Sequence, residues 1–160
     1  MRRCTPLILV VLASGAALLA MGRRETPHSA QFFAVEQGVA GTVEVWEGNF
    51  MPMVNEPPGG SKTPAANRRV RIHEPFSAKE TGSFEACQDT IPTPLVAETR
   101  TDSRGQFLVS LEVGTYSIFA EEDGGWYFNG WDGHGFQGLI RIDSGKVTRQ
   151  DIRITTKAVF

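Results

Sequence analysis

Residues 107–120 carry the clearest pattern in the chain. Phe107, Val109 and Leu111 alternate with Leu108, Ser110 and Glu112, and Tyr116, Ile118 and Ala120 alternate with Thr115, Ser117 and Phe119. Period-two alternation marks half-buried strands. The pattern predicts Tyr116 and Ile118 inward and Ser117 and Phe119 outward. Ahead of the first strand stands Thr101-Asp102-Ser103-Arg104-Gly105. Asp bonds its own backbone two residues on, and Gly supplies positive φ, so this stretch predicts a type I turn with a bulge. Glu112-Val113-Gly114 is a second tight link.

The flanks repeat the signal. Val39, Val43 and Val45 share one face of a first strand, residues 38–46, and Gly41 falls on that face. A strand-interior Gly marks a bulge or the close approach of another backbone. Residues 69–73 predict a strand with Val70 and Ile72 inward, and residues 95–99 one with Val96 inward. Residues 139–142 and 147–155 predict a final hairpin, with Ile140 and Ile142 facing Ile152 and Ile154. Two stretches break the pattern. Residues 47–68 hold Pro57, Pro58, Gly59, Gly60 and Pro64, and residues 55–67 within them are expected to hold neither ladder nor helix. Residues 76–94 read as a second irregular loop. No segment has helical periodicity, and no repeat is present. The sum is an all-β fold of about seven strands, a two-sheet sandwich around one core. Inward positions are 39, 43, 70, 72, 96, 107, 109, 111, 116, 118, 140, 142, 152 and 154.

Three motifs add a resemblance. Gly38-Val39-x-Gly41-x-Val43, Thr101-Asp102-x-x-Gly105-x-Phe107 and Gly114-x-Tyr116-x-Ile118 together resemble the carboxypeptidase regulatory-like domain over about residues 37–157. The resemblance implies a transthyretin-like, Ig-like Greek-key sandwich of seven strands. The loops 47–68 and 76–94 are longer than that compact module carries. Such modules commonly accompany an enzyme or a transporter, so the resemblance informs fold more than function.

The N-terminus differs in kind. Residues 1–22 open Met-Arg-Arg, continue with an uncharged apolar run and reach small residues, as a secretory signal peptide does. Gly15-Ala16-Ala17 and Ala20-Met21-Gly22 are two candidate cleavage sites. The alternative is an N-terminal anchor over residues 5–22, at the short end for a bilayer core of roughly 30 Å. Residues 23–37 read as a tether, and residues 38–157 as the sandwich domain. This places the domain in the periplasm or outside the cell, or tied to a membrane by residues 5–22.

Charge excludes one class of partner. Loss of Arg2 and Arg3 with residues 1–22 leaves 14 basic against 18 acidic side chains, net −4. That is no footprint for nucleic acid. Arg68-Arg69-x-Arg71 is the only basic cluster, and Arg69 and Arg71 on a strand share one solvated face. Cys4 precedes the apolar run, so Cys87 is the one cysteine of the mature chain and no internal disulfide forms.

Candidate chemistry is sparse. His73-Glu74-Pro75-Phe76-Ser77 lacks the second His of a zinc-binding H-E-x-x-H, and Pro75 forbids its helix. His28 and His134 stand alone. No metal and no cofactor is expected. Transthyretin-like hydroxyisourate hydrolases end in Tyr-Arg-Gly-Ser, whereas this chain ends Lys157-Ala158-Val159-Phe160; the His-x-His of intradiol dioxygenases is absent. Cys87 has no adjacent base, and Glu85 and Asp89 would raise its pKa. Glu121-Glu122-Asp123 reads as a solvated charge run rather than a calcium loop.

The aromatic stretch 126–136 remains. Trp126, Tyr127, Phe128, Trp131 and Phe136 stand among the polar residues Asn129, Asp132, His134 and Gln137. Flat rings beside polar groups suit sugar stacking or a protein partner. Alternatively, alternate rings fill the sandwich end, leaving at least one of Trp126, Tyr127 and Trp131 exposed. The candidate ligand-binding residues are Trp126, Tyr127, Trp131 and His134. The expected function is a non-enzymatic accessory or binding module for a protein or polysaccharide. A carbohydrate-binding module using residues 126–136 is the alternative, and a small transthyretin-fold hydrolase comes last.

Overall fold

The structure is a computed structural model that describes residues 35–52, 59–82 and 85–160. The signal peptide or anchor, most of the tether, Cys4, His28 and the stretch 53–58 lie outside the described residues. Eleven strands and one helical turn fill the described residues, arranged as two packed sheets.

The first sheet is built on β1 (Gly38–Asn49). Along one edge β1 pairs antiparallel with β6 (Gln106–Ser110), then with β2 (Ser61–Pro64). Along the other it pairs parallel with β10 (Val147–Arg149), then with β11 (Ile152–Val159). The step from β10 to β11 passes hard against Gly41. A Cβ there would lie 1.8 Å from the Gln150 carbonyl oxygen, so only Gly fits. The close approach predicted from the sequence is present.

The second sheet is built on β7 (Gly114–Glu122). On one side lie β3 (Arg69–His73) and then β5 (Leu95–Arg100). On the other lie β9 (Leu139–Ile142) and β8 (Gly125–Tyr127), with β4 (Cys87–Gln88) beyond β8. The predicted turn is formed. Asp102 Oδ1 accepts from the N–H of Arg104 and of Gln106, both at 2.8 Å, and Gly105 sits at φ 75°. Yet β5 and β6 lie in opposite sheets, so the turn is a corner between sheets. Residues 112–114 carry the chain back.

Val39, Val43, Val70, Ile72, Phe107, Leu111, Ile118, Ile140, Ile142, Ile152 and Ile154 are buried in one cluster between the sheets, with Val109 and Tyr116 half-buried against it. Each such aliphatic or aromatic side chain stabilises the fold by roughly 1.5–3 kcal/mol. Four expectations need correction. Val96 is 44% exposed and Ala97 packs inward instead. Thr99 and Ala97 pair with the inward Val70 and Ile72, so Val96, next to Ala97, faces out. Residues 139–155 are not a hairpin, because β9 pairs with β7 whereas β10 and β11 pair with β1. Their isoleucines meet across the core. Residues 61–64 do form a ladder, on a sheet edge where Pro64 is tolerated. Residues 76–94 contain β4 and the helical turn α1 (Ala78–Thr81), capped by Ser77 and closed by Gly82 at φ 69°.

Candidate functional site

At the centre of the second sheet, outward residues are largely covered. On β3, Arg69, Arg71 and His73 alternate with the core residues Val70 and Ile72; on β7, Ser117, Phe119 and Glu121 alternate with Ile118 and Ala120. Alternation alone puts Phe119 outward and hence in solvent. It does point outward, but it is fully buried, in a second cluster with Phe76, Trp126 and Phe128. Its ring meets Phe76 and Phe128 edge-on, each at 6.0 Å. Two long loops supply the cover. Phe76 N donates to Ser117 Oγ at 3.0 Å, Ala78 N to the Gly135 carbonyl at 2.9 Å, and Gln137 N to the Phe76 carbonyl at 3.0 Å. Residues 76–78 are thus stitched both to the sheet and to residues 130–138.

The four candidate binding residues separate. Trp126 is 7% exposed. The Arg71 guanidinium lies 4.1 Å from the Trp126 ring centroid and that of Arg69 lies 5.3 Å away. Those arginines are held by Glu98 at 2.6 Å and by Glu121 at 2.9 Å. The face predicted as solvated is therefore an ion-paired lid on an indole. Tyr127 turns the other way, into the main core, and its hydroxyl meets Thr155 Oγ1 at 2.9 Å. Trp131 is 40% exposed and stands edge-to-face on Phe128, 5.3 Å away. His134 is exposed on the same loop. Asp132 holds that loop's shape: its Oδ1 accepts from His134 N at 2.7 Å and from Phe136 N at 3.0 Å. Desolvation pushes the Asp132 carboxyl up, and these N–H bonds outweigh it, leaving it below the ordinary carboxylate range.

Burial first, then the carboxylates of Glu122, Asp89, Asp123 and Glu85, push the Cys87 thiol up, the setting of an inert cysteine. The acidic run is not simply solvated. Glu122 is buried, with Arg68 Nη1 3.0 Å from its Oε2 in an ion pair too poorly angled for a hydrogen bond. Glu121 is held by Arg69, and Asp123 lies 3.3 Å from Lys157. Among the described residues no three His, Cys, Asp or Glu side chains gather as a metal would need.

A second aromatic group escaped the sequence reading. Trp46, Phe50 and Phe160 lie with ring centroids 5.2, 5.5 and 6.3 Å apart on the first sheet. Lys62 Nζ sits 3.8 Å over Trp46, directly across the β1–β2 pair, and Arg153 lies 5.4 Å from the same ring. Phe160 is 64% exposed. The alternation of Val43 and Val45 already turns Trp46 outward; the loop reading of residues 47–68 hid its neighbours. Elsewhere on this sheet a depression of about 230 Å³ opens between Thr42, Gln106 and Arg149. Its one charged side chain, Arg149, is already paired with Asp151 at 3.2 Å.

No family model, no curated protein and no solved structure matches the chain.

Proposed function

We propose that this chain is an exported, non-enzymatic binding module of the carboxypeptidase regulatory-like type, with a transthyretin-like Greek-key topology. Export rests on the residue pattern of positions 1–22. The family reading rests on the three glycine-centred motifs and on the Asp102–Gly105 corner they contain, which positions Phe107 for the core. The binding surface is the loop of Trp131 and His134. One observation carries this: an indole is left 40% exposed on a pedestal of buried aromatic rings, on a loop whose backbone Asp132 fixes. A rigid, half-exposed Trp loses little entropy on contact and offers a flat apolar face.

The same ring favours a polysaccharide as the second reading, since a pyranose presents a matching apolar face. Calorimetry of the purified domain against neutral and acidic polysaccharides, beside capture of proteins that copurify with it, separates the two. Heat that vanishes in Trp131→Ala supports the sugar reading. A protein that copurifies with the wild type and is lost in Trp131→Ala supports the accessory-module reading. Binding of either class that Trp131→Ala leaves intact removes the loop as the site.

A further inference from the structure

The chain leaves the second sheet at the end of β3, and Thr93 and Pro94 lead back to it at the start of β5. One side chain holds both ends. His73 is 5% exposed. Its Nδ1 stands 2.8 Å from the Thr93 carbonyl. A carbonyl only accepts, so this bond assigns the proton to Nδ1 and leaves Nε2 of the neutral ring a bare acceptor. Nε2 is buried with no hydrogen-bond partner among the described residues. Beside it, Glu74 N donates to the Pro94 carbonyl at 3.0 Å and Thr93 Oγ1 to the Glu74 carbonyl at 3.1 Å. The imidazole meets the buried ring of Phe119 edge-on at 5.9 Å.

A proton on Nε2 would place an unpaired N–H and a positive charge where nothing receives either. On β3 the neighbouring charge is Arg71, itself a cation and held by Glu98 of β5. From β7 come Ser117 and Phe119, from β5 Leu95, and from the loop the Thr93 carbonyl. Glu74, next in the chain, is exposed, and among the described residues no carboxylate forms an ion pair with the ring.

We propose that His73 is a proton-operated latch: neutral, it pins residues 74–82 and 85–94 over the aromatic face of the second sheet, and protonated, it releases them. Burial pushes the imidazole below its ordinary 6.5, the Thr93 bond opposes this, and Arg71 adds to the fall. Above that ordinary value the closed and open forms are both neutral and closure is firmest. As pH drops below it, the open form takes the proton first and closure weakens. Release would break the bonds from Phe76 and Ala78 and bare Phe119. The latch does not depend on what the domain binds.

Hydrogen exchange on the full chain tests this, with intrinsic rates corrected for pH. Between pH 7.5 and pH 5, the opening constant at the amides of Glu74, Phe76, Ala78 and Gln137 is expected to rise, by up to about thirtyfold, the ceiling that proton linkage to one histidine of ordinary value 6.5 sets. The amides of Val43 and Gln150, bonded within the first sheet's surroundings, are expected to stay protected. His73→Asn keeps a side-chain N–H for Thr93 without a titrating ring, and its loop protection is expected to be flat with pH. Should that variant not fold, the wild-type His73 ring is followed by NMR, and its titration is expected below 6.5. Unchanged loop protection at pH 5, parallel loss at Val43 and Gln150, the same pH response in His73→Asn, or a His73 titration at or above 6.5 would each overturn the latch.

Discussion

The two outer faces of this sandwich meet the same problem differently. Each strand turns every second side chain away from the core. On the second sheet those side chains include His73, Phe119 and Trp126, and the long loops fold back to cover them. On the first sheet they include Thr42, Glu44, Trp46, Lys62 and Arg153, and the face stays open, with Trp46 covered by no loop and met by the cations of Lys62 and Arg153 and by the rings of Phe50 and Phe160. The contrast teaches that alternation assigns a residue to a face, whereas loops distant in sequence decide whether that face is wet. It also accounts for the contrast in ring exposure. Trp126 is sealed by Arg71, while Phe160 projects into solvent.

The comparison can be broken at several points. Phe119→Ala empties a site at the centre of the covered face and is expected to cost about 3–5 kcal/mol in denaturant unfolding. A loss below about 1 kcal/mol would show that the face is not a packed core. Arg68→Ala leaves the Glu122 carboxylate buried at the end of the sandwich without its 3.0 Å partner. Because Arg68 itself reaches solvent, about 2 kcal/mol is expected, less than for a fully buried pair. Arg71→Ala uncovers one side of Trp126 and frees Glu98, and about 1 kcal/mol is expected with a rise in indole accessibility. On the open face, Trp46→Ala removes a ring held by Lys62 and Phe50, with an expected shift of about 1 kcal/mol or less. Equal effects of Phe119→Ala and Trp46→Ala would erase the difference between the faces.

The main core is legible in the sequence because its signal is local. Val70, Ile72, Phe107 and Ile118 are named by alternation alone, and Gly41 by its place within a strand. Val96 is misassigned because its face is set by which β5 residue sits opposite Ile72, namely Ala97, and register is a property of two strands. Phe119 faces outward as alternation says, but its burial is not legible because its cover, Phe76, lies over 40 residues away in a segment without periodicity. The isoleucines of β9 and β11 read as hairpin partners because proximity in sequence suggests pairing, whereas each strand finds its partner elsewhere. For the candidate site, glycines among aromatic residues do mark a shaped loop. Which ring stays exposed depends on Arg71 and Phe128, and the spacing of rings says nothing about either.

The chain's three tryptophans report directly on the two faces. Acrylamide quenching of three variants, each keeping one of Trp46, Trp126 and Trp131 with Phe at the other two positions, measures accessibility ring by ring. Strong quenching of Trp131, intermediate quenching of Trp46 and near-complete protection of Trp126 at neutral pH is the predicted result. Trp126 quenched as readily as Trp131 would contradict the covered face at the centre of this account.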